Sequence, residues 1–267
     1  MFEYFDIHSH LYFPDYDKDR EEEIKKIKEA RIGTITVGTD FQSSQKAIEL
    51  ADAHSSLFAC IGMHPGDLDT DSIFDPKLES LCQNKKVVAI GETGLDYFHM
   101  AADSPIKSIQ KTIFEYHIDL ALSVGKPLML HIRSSKGTHD AYGDALQILE
   151  HHAKIAGSKL QGNAHFFAGD IGILRRFLAI GFTVSFTGVI TFTNDYDEFI
   201  KFTPLDMIMS ETDAPFVAPV SHRGKRNSPL YVSEVVKRIA QIRGGPFERV
   251  RNALVENAKS SFPAIAS

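Results

Sequence analysis

Cysteine is nearly absent from this sequence: Cys60 and Cys82 are the only two in 267 residues, and they form no CxxC pair. That excludes a disulfide framework and makes a reduced, intracellular setting the expectation. Long hydrophobic runs are missing as well. No apolar stretch approaches the roughly 18 residues that a membrane span requires. The opening Met1-Phe2-Glu3-Tyr4 lacks the basic segment and apolar core of a secretory leader, so the chain reads as cytoplasmic. An excess of positive charge is also lacking. Lys and Arg number 29 against 35 Asp and Glu, for a formal net charge of −6. Such a balance argues against a nonspecific nucleic-acid coat, which is usually basic overall. It leaves room for an enzyme that grips one phosphate at a time, because bound divalent cations would invert the local field.

No low-complexity linker, charge block or short repeat divides the chain, which predicts a single domain over residues 1–267. Hydrophobic residues make up 43% and charged residues 24%, both ordinary for a globular protein. What fills the sequence is an alternation. Short β-branched runs at 4–11, 34–39, 58–64, 87–92, 127–133, 161–167, 183–189 and 206–213 predict strands. Amphipathic stretches at 18–30, 43–54, 106–124, 140–151, 171–180, 229–243 and 247–260 predict helices. About eight such units point to a closed, parallel (β/α)8 TIM-like barrel rather than an open doubly wound sheet. A barrel of this kind carries its catalytic groups at the C-terminal ends of the strands.

The polar residues meet that demand. The first strand contains His8 and His10, which share a face because residues two apart on a strand point the same way. The fourth apolar run ends in Glu92, followed at once by a predicted turn. The fifth ends in His131, with Arg133 on the same side, and the sixth in His165. The eighth supplies Glu211 and Asp213 on one face before Pro215 stops it. A lone histidine at any of these places is more often a satisfied structural residue, and a lone carboxylate the first exposed group after a sheet. Histidines and carboxylates at one level on five strands are hard to attribute to packing, since buried carboxylates need a partner. Six ligands exceed what one Zn²⁺ requires and suggest two divalent cations bridged by a carboxylate. The expected sets are His8, His10, Glu92 and Asp213 for one ion, and Glu92, His131 and His165 for the other. The nitrogen-rich shell suits Zn²⁺ or Mn²⁺ by softness, whereas Mg²⁺ prefers oxygen, so the metal stays open among the three.

These motifs together resemble the TatD family of metal-dependent deoxyribonucleases, within the amidohydrolase-like barrels. The matching pieces stand in order: Asp6-Ile7-His8-Ser9-His10-Leu11, Gly62-Met63-His64-Pro65, Ile90-Gly91-Glu92-Thr93-Gly94-Leu95-Asp96, His131-Ile132-Arg133, His165-Phe166-Phe167-Ala168-Gly169, Glu211-Thr212-Asp213-Ala214-Pro215 and Arg223-Gly224-Lys225-Arg226-Asn227-Ser228-Pro229. The likeness spans roughly residues 4–260. Two departures, Phe166-Phe167-Ala168-Gly169 where the family often has Cys-Phe-Ser-Gly, and Pro263 near the C-terminus, touch no expected ligand. The resemblance implies hydrolysis of DNA phosphodiesters, as a 3′–5′ exonuclease on single strands. The residues themselves support something narrower, hydrolysis by a metal-activated water.

In that scheme Asp213 takes the proton as general base, and Glu211 orients a ligand or a water. His64 and Arg133 contact the phosphate, because imidazolium and guanidinium complement that anion. The Arg223–Arg226 loop either steers the substrate in or is simply a solvated charged loop. Two rivals compete with the nuclease. One is an amidohydrolase or deacylase acting on a small or tRNA-linked substrate; many of these bridge their metals with a modified lysine on the fourth strand, where this chain has Glu92. The other is a noncatalytic metal-binding scaffold, which would have no need of a full ligand set.

Overall fold

Parallel pairing runs unbroken from the first strand to the last in the computed structural model, which describes residues 2–265. The strands are β1 (Tyr4–Ser9), β2 (Ile32–Val37), β3 (Leu57–Ile61), β4 (Val87–Asp96), β5 (Leu128–Arg133), β6 (Gly162–Ala164), β7 (Thr183–Phe186) and β8 (Ile208–Ser210), hydrogen-bonded in that order. Backbone bonds from Asp213 N to His8 O (2.9 Å) and from His10 N to Ala214 O (2.7 Å) bring the end of β8 back to β1. The (β/α)8 barrel expected from the sequence is the fold.

The helices are α1 (Arg20–Glu29), α2 (Phe41–Ala53), α3 (Lys77–Leu81), α4 (Ile106–Val124), α5 (Asp140–Ala156), α6 (Ile171–Ala179), α7 (Asp197–Phe202), α8 (Val232–Arg243) and α9 (Phe247–Ser261). Their starts follow local chemistry. Asp40 accepts from Ser43 N and Ser43 Oγ accepts from Asp40 N, a reciprocal cap that opens α2. Asp170 caps α6 through Ile173 N. Hydrophobic periodicity misses α3 and α7, because one or two turns are too short to show a period.

Two apolar clusters hold the barrel. The larger lies between the strands and the helices and includes Ile24, Phe114, Leu146, Phe177 and Ile239. The smaller draws on the strands, with Phe5, Ile7, Ile35, Val37, Cys60, Met129 and Met209, and is joined by Phe262 and Ile265 from the end of the chain. It fills one end of the barrel interior. The polar residues gather at the other.

The strand ends differ from expectation in a way that matters. Residues Asp6 and Ser9 of β1 pair with Thr34 and Thr36 of β2, so β1 spends three steps where β2 spends two. The same slip occurs where Ile90 and Thr93 of β4 face Leu128 and Leu130 of β5. A bulge of this kind re-aims a side chain, and His8 and Glu92 both sit inside one. Strand β4 also continues to Asp96 rather than turning after Glu92. Glycines make that continuation feasible: Gly91 (φ 151°) and Gly94 (φ 134°) lie where a Cβ would come within 2.3 Å of Met129 O and 2.2 Å of His131 O. By contrast, β6 and β8 are shorter than expected, so His165, Glu211 and Asp213 stand on the loops just beyond them.

Candidate metal centre

Glu92 is 3% exposed, and its two oxygens face different partners. Oε1 lies 2.9 Å from His165 Nε2, 3.0 Å from His131 Nδ1 and 3.6 Å from His64 Nε2. Oε2 lies 3.4 Å from His8 Nε2 and 3.8 Å from His10 Nε2. Asp213 Oδ1 closes the second group, 3.5 Å from His10 Nε2 and 3.8 Å from His8 Nε2. All six residues expected from the sequence to be ligands are therefore brought together, in two groups that share Glu92. The chemistry of the donors decides what those groups can hold.

Three of the histidines spend their ring N–H elsewhere. His10 Nδ1 is 2.8 Å from Val37 O, His131 Nε2 is 2.9 Å from Asp96 Oδ2, and His165 Nδ1 is 3.3 Å from Glu211 Oε2. In the neutral form each then aims a bare nitrogen at a carboxylate oxygen, lone pair against lone pair. Only a cation or extra protons relieve that repulsion. His8 Nδ1 is buried with no hydrogen-bond partner among the described residues, and its Nε2 lies 3.2 Å from His10 Nε2 and 3.4 Å from Glu92 Oε2, contacts that again need a proton or a cation between them. The donor set fits divalent cations, and groups such as His8–His10–Glu92 and His64–Glu92–His131 have ligand atoms close enough to hold one.

The titration behaviour of the metal-free site expresses the same demand. Burial alone would push the Glu92 carboxyl up, but the surrounding imidazoles of His64, His8 and His165 hold it well below the usual carboxylate range. Asp213 is likewise lowered: burial opposes ionisation, while the hydrogen bond from His10 and the nearby His8 and His165 favour it. Burial would lower His165, yet Glu211 and Glu92 raise it well above an ordinary imidazole. His64 behaves differently. Burial and the adjacent His131 push it down to about 4, and its Nδ1 accepts from Gly66 N at 3.0 Å. It is a neutral imidazole with a proton on Nε2, not the imidazolium expected from the sequence.

Glu211 and Asp213 do not share a strand face, because Asp213 takes a left-handed backbone (φ 55°) past the end of β8. Glu211 turns to His165 and accepts from Phe166 N at 2.6 Å, while Asp213 turns to His8 and His10. Arg133 lines the same cleft, of about 640 Å³, with its guanidinium 3.7 Å from the centre of the Phe98 ring. A groove of about 1,090 Å³ lies elsewhere, lined by Phe74 and Tyr116 among others on the outer flank; it has no histidine in its lining and no part in this site. The loop from Arg223 to Arg226 divides in two. Arg226 grips Asp19 with two bonds of 2.6 and 2.7 Å and lies over the Tyr16 ring, a structural clamp, whereas Arg223 stacks on Phe192.

Sequence reasoning passed over two residues. Asp96 fixes which nitrogen His131 turns to Glu92; its signal was the spacing Glu92, Gly94, Asp96, alternate positions of a strand that continues. Asp6 accepts from Thr212 N at 2.8 Å and bonds Thr212 Oγ1, joining β1 to the loop that carries Asp213. Burial raises its pKa to about 8, against the bonds from Thr212 and His8.

A parallel barrel with histidines and carboxylates gathered at its mouth around one buried glutamate defines a class, the metal-dependent hydrolases. Comparison with known proteins narrows it. The sequence profile of the family described as TatD related DNase matches residues 5–263. The chain is 37% identical to the uncharacterized metal-dependent hydrolase YabD of Bacillus subtilis, over 97% of this chain and 98% of that protein. It is 31% identical to YcfH of Escherichia coli K12, another uncharacterized metal-dependent hydrolase, over 98% and 96%. The crystal structure of YjjV, a TatD homolog from Escherichia coli K12, superposes with a TM-score of 0.83 at 26% identity, covering 98% of both chains. The chain belongs to the TatD family of metal-dependent hydrolases.

Proposed function

We propose that this chain hydrolyses phosphodiester bonds of single-stranded DNA with two divalent cations held at the barrel mouth. His8, His10, Glu92 and Asp213 would hold one, and Glu92, His131 and His165 the other. The observation that carries this reading is the division of Glu92, whose Oε1 faces His131 and His165 while Oε2 faces His8 and His10. Bound there, divalent cations would lower the pKa of a water toward ~7 and neutralise charge on the phosphate oxygens.

The chain's own groups do the rest. Asp213, ionised at neutral pH, takes a proton as general base. Glu211 and Asp96 act through their histidines, holding each ring so that the correct nitrogen faces inward. Arg133 supplies a guanidinium to the phosphate at the cleft wall. His64 supplies a neutral N–H donor. The family-level description as a DNase supports the choice of phosphodiester, and a carboxylate in place of a fourth-strand lysine fits it.

Product analysis of end-labelled single-stranded DNA with Mg²⁺, Mn²⁺ or Zn²⁺ tests the reading. The expected result is stepwise shortening from the 3′ end with at least one of these ions. Intact DNA alongside turnover of small amides or esters would transfer the chain to the deacylase reading. Purified protein without bound or bindable metal would sink both.

A further inference from the structure

We propose that Phe216 is the stacking platform for an unpaired nucleobase beside the scissile phosphate, and thereby a specificity-determining residue of this site. The proposal rests on the phosphodiesterase reading and deepens it. Phe216 lines the cleft together with His10 and Asp213 and is 48% exposed there. Its ring centre lies 6.1 Å from that of His10 and 5.6 Å from that of Phe13, nearly perpendicular to the latter at 84°.

Isolated exposed apolar side chains are common and mean little by themselves. What distinguishes Phe216 is the backbone that presents it. Asp213 (φ 55°) and Val217 (φ 52°) bracket it in the left-handed region, where a β-branched residue such as Val217 is an outlier. Such conformations persist only when the surroundings impose them, and they cluster where ligands are held. Here the surroundings do impose it. Phe216 N donates to Asp213 O at 2.8 Å, and Asn227 N donates to Pro215 O at 3.0 Å. The Asn227 amide donates to both Thr212 O and Phe216 O. Across the turn, Val217 O sits so close to Gly188 that a Cβ there would come within 2.6 Å. These contacts fix the backbone that presents the ring, and the ring itself is flanked by those of His10 and Phe13.

A half-exposed ring on a fixed turn, three residues from the general base, suits a flat group with a π face. Every nucleobase has that face, and stacking on it is tolerant of sequence. In a duplex both faces are covered by neighbouring bases, so the platform selects an unpaired strand. Phe166, also left-handed (φ 45°), lines the cleft directly after His165 and offers a second ring.

The chain contains no tryptophan, so Phe216→Trp places a single tryptophan, excitable at wavelengths where tyrosine does not absorb, at the proposed platform. The test mixes that variant, metal-loaded and by stopped flow within the first turnover, with a single-stranded oligonucleotide and with the same strand made abasic at its 3′-terminal positions. Initial rates on both strands are measured for wild type, Phe216→Ala and Phe216→Tyr. Stacking predicts quenching by the natural strand and little by the abasic one. It also predicts about a tenfold or greater loss of kcat/KM for Phe216→Ala on the natural strand only, restored by Phe216→Tyr. Equal rates of Phe216→Ala and wild type on the natural strand, or no quenching while wild type cuts it, would overturn the platform. Quenching without cleavage by any variant would support the platform and sink the hydrolysis reading alone; neither quenching nor cleavage would sink both.

Discussion

Ile7 and His8 are neighbours on one strand, yet they belong to opposite halves of the barrel interior. Ile7 joins Phe5, Met129, Met209 and Phe262 in a buried apolar cluster. His8 joins a ring of imidazoles and carboxylates that repel one another unless positive charge is added. The lower half is stabilised by removing apolar area from water, about 25 cal/mol per Å². The upper half has no such apolar gain: its buried ionic groups lose hydration, and their contacts with one another have to make that loss good. The bulge between Asp6 and Ser9 is where β1 passes from one regime to the other. Stability and chemistry are thus carried by the same strands but by different ends of them, and substitutions should separate the two.

The largest separation is expected at Asp213. Asp213→Asn keeps the size and removes the base, so kcat should fall by about 10²–10⁴-fold, while the metal-free protein stays folded, its urea midpoint lowered by no more than the lost charge contact to His10. Near-normal hydrolysis by this variant would refute the general-base role. At the other end, Phe262→Ala removes a fully buried ring and should cost about 3–5 kcal/mol of stability. The remaining folded fraction should bind metal with unchanged stoichiometry. Loss of metal in proportion to stability would mean that the two halves are one cooperative unit, not two.

Much of this division is legible in the residues alone. The alternation of β-branched and amphipathic runs specifies the barrel because most of the runs are long enough to show their period, short α3 and α7 excepted. His8, His10, Glu92, His131, His165 and Asp213 stand out because each ends an apolar run, where a polar side chain is unexpected. What stays hidden depends on backbone geometry that composition does not encode. The bulges at His8 and Glu92 leave no mark in the order of residues. The continuation of β4 hides Asp96, because Gly91 and Gly94 read as a turn when their true role is close approach to β5. The role of Arg226 requires knowing that Asp19, far away in the sequence, lies beside it. Phe216 is unremarkable until Val217 is seen to be left-handed.

A histidine outside the mouth sharpens the comparison by contrast. His117 on α4 is fully buried, with Nδ1 donating to Ile113 O at 2.8 Å and Nε2 accepting from Met63 N at 3.0 Å. Both nitrogens are satisfied in the neutral ring, unlike those of His131 or His165. Burial lowers its pKa from 6.5 to about 4. Between those values the unfolded chain binds the proton and the folded one does not. Its contribution to stability is therefore complete above pH 6.5 and disappears as the pH falls toward 4, a loss of about 3 kcal/mol. His117→Gln, which keeps an acceptor for Met63 N, should flatten the urea midpoint over that range relative to wild type, both measured metal-free. An unchanged slope would show that His117 is already protonated in the fold.

The smallest effect divides the mouth itself, into the groups proposed to hold metal and those proposed to hold substrate. Arg133 ends β5 two residues after His131 and lines the cleft, but its guanidinium lies over the Phe98 ring and forms no ion pair among the described residues. It stands on the cleft wall, outside the cluster around Glu92. Removing it takes away one charge-assisted contact to a phosphate, a loss of roughly 1.5–3 kcal/mol at most and less where solvent screens the pair. Arg133→Ala should accordingly raise KM by about tenfold, with kcat and metal content nearly unchanged. The KM effect should shrink as ionic strength rises. A fall in bound metal would move Arg133 into the ligand-supporting set, and a fall in kcat at constant KM would assign it to the transition state instead of to the resting phosphate.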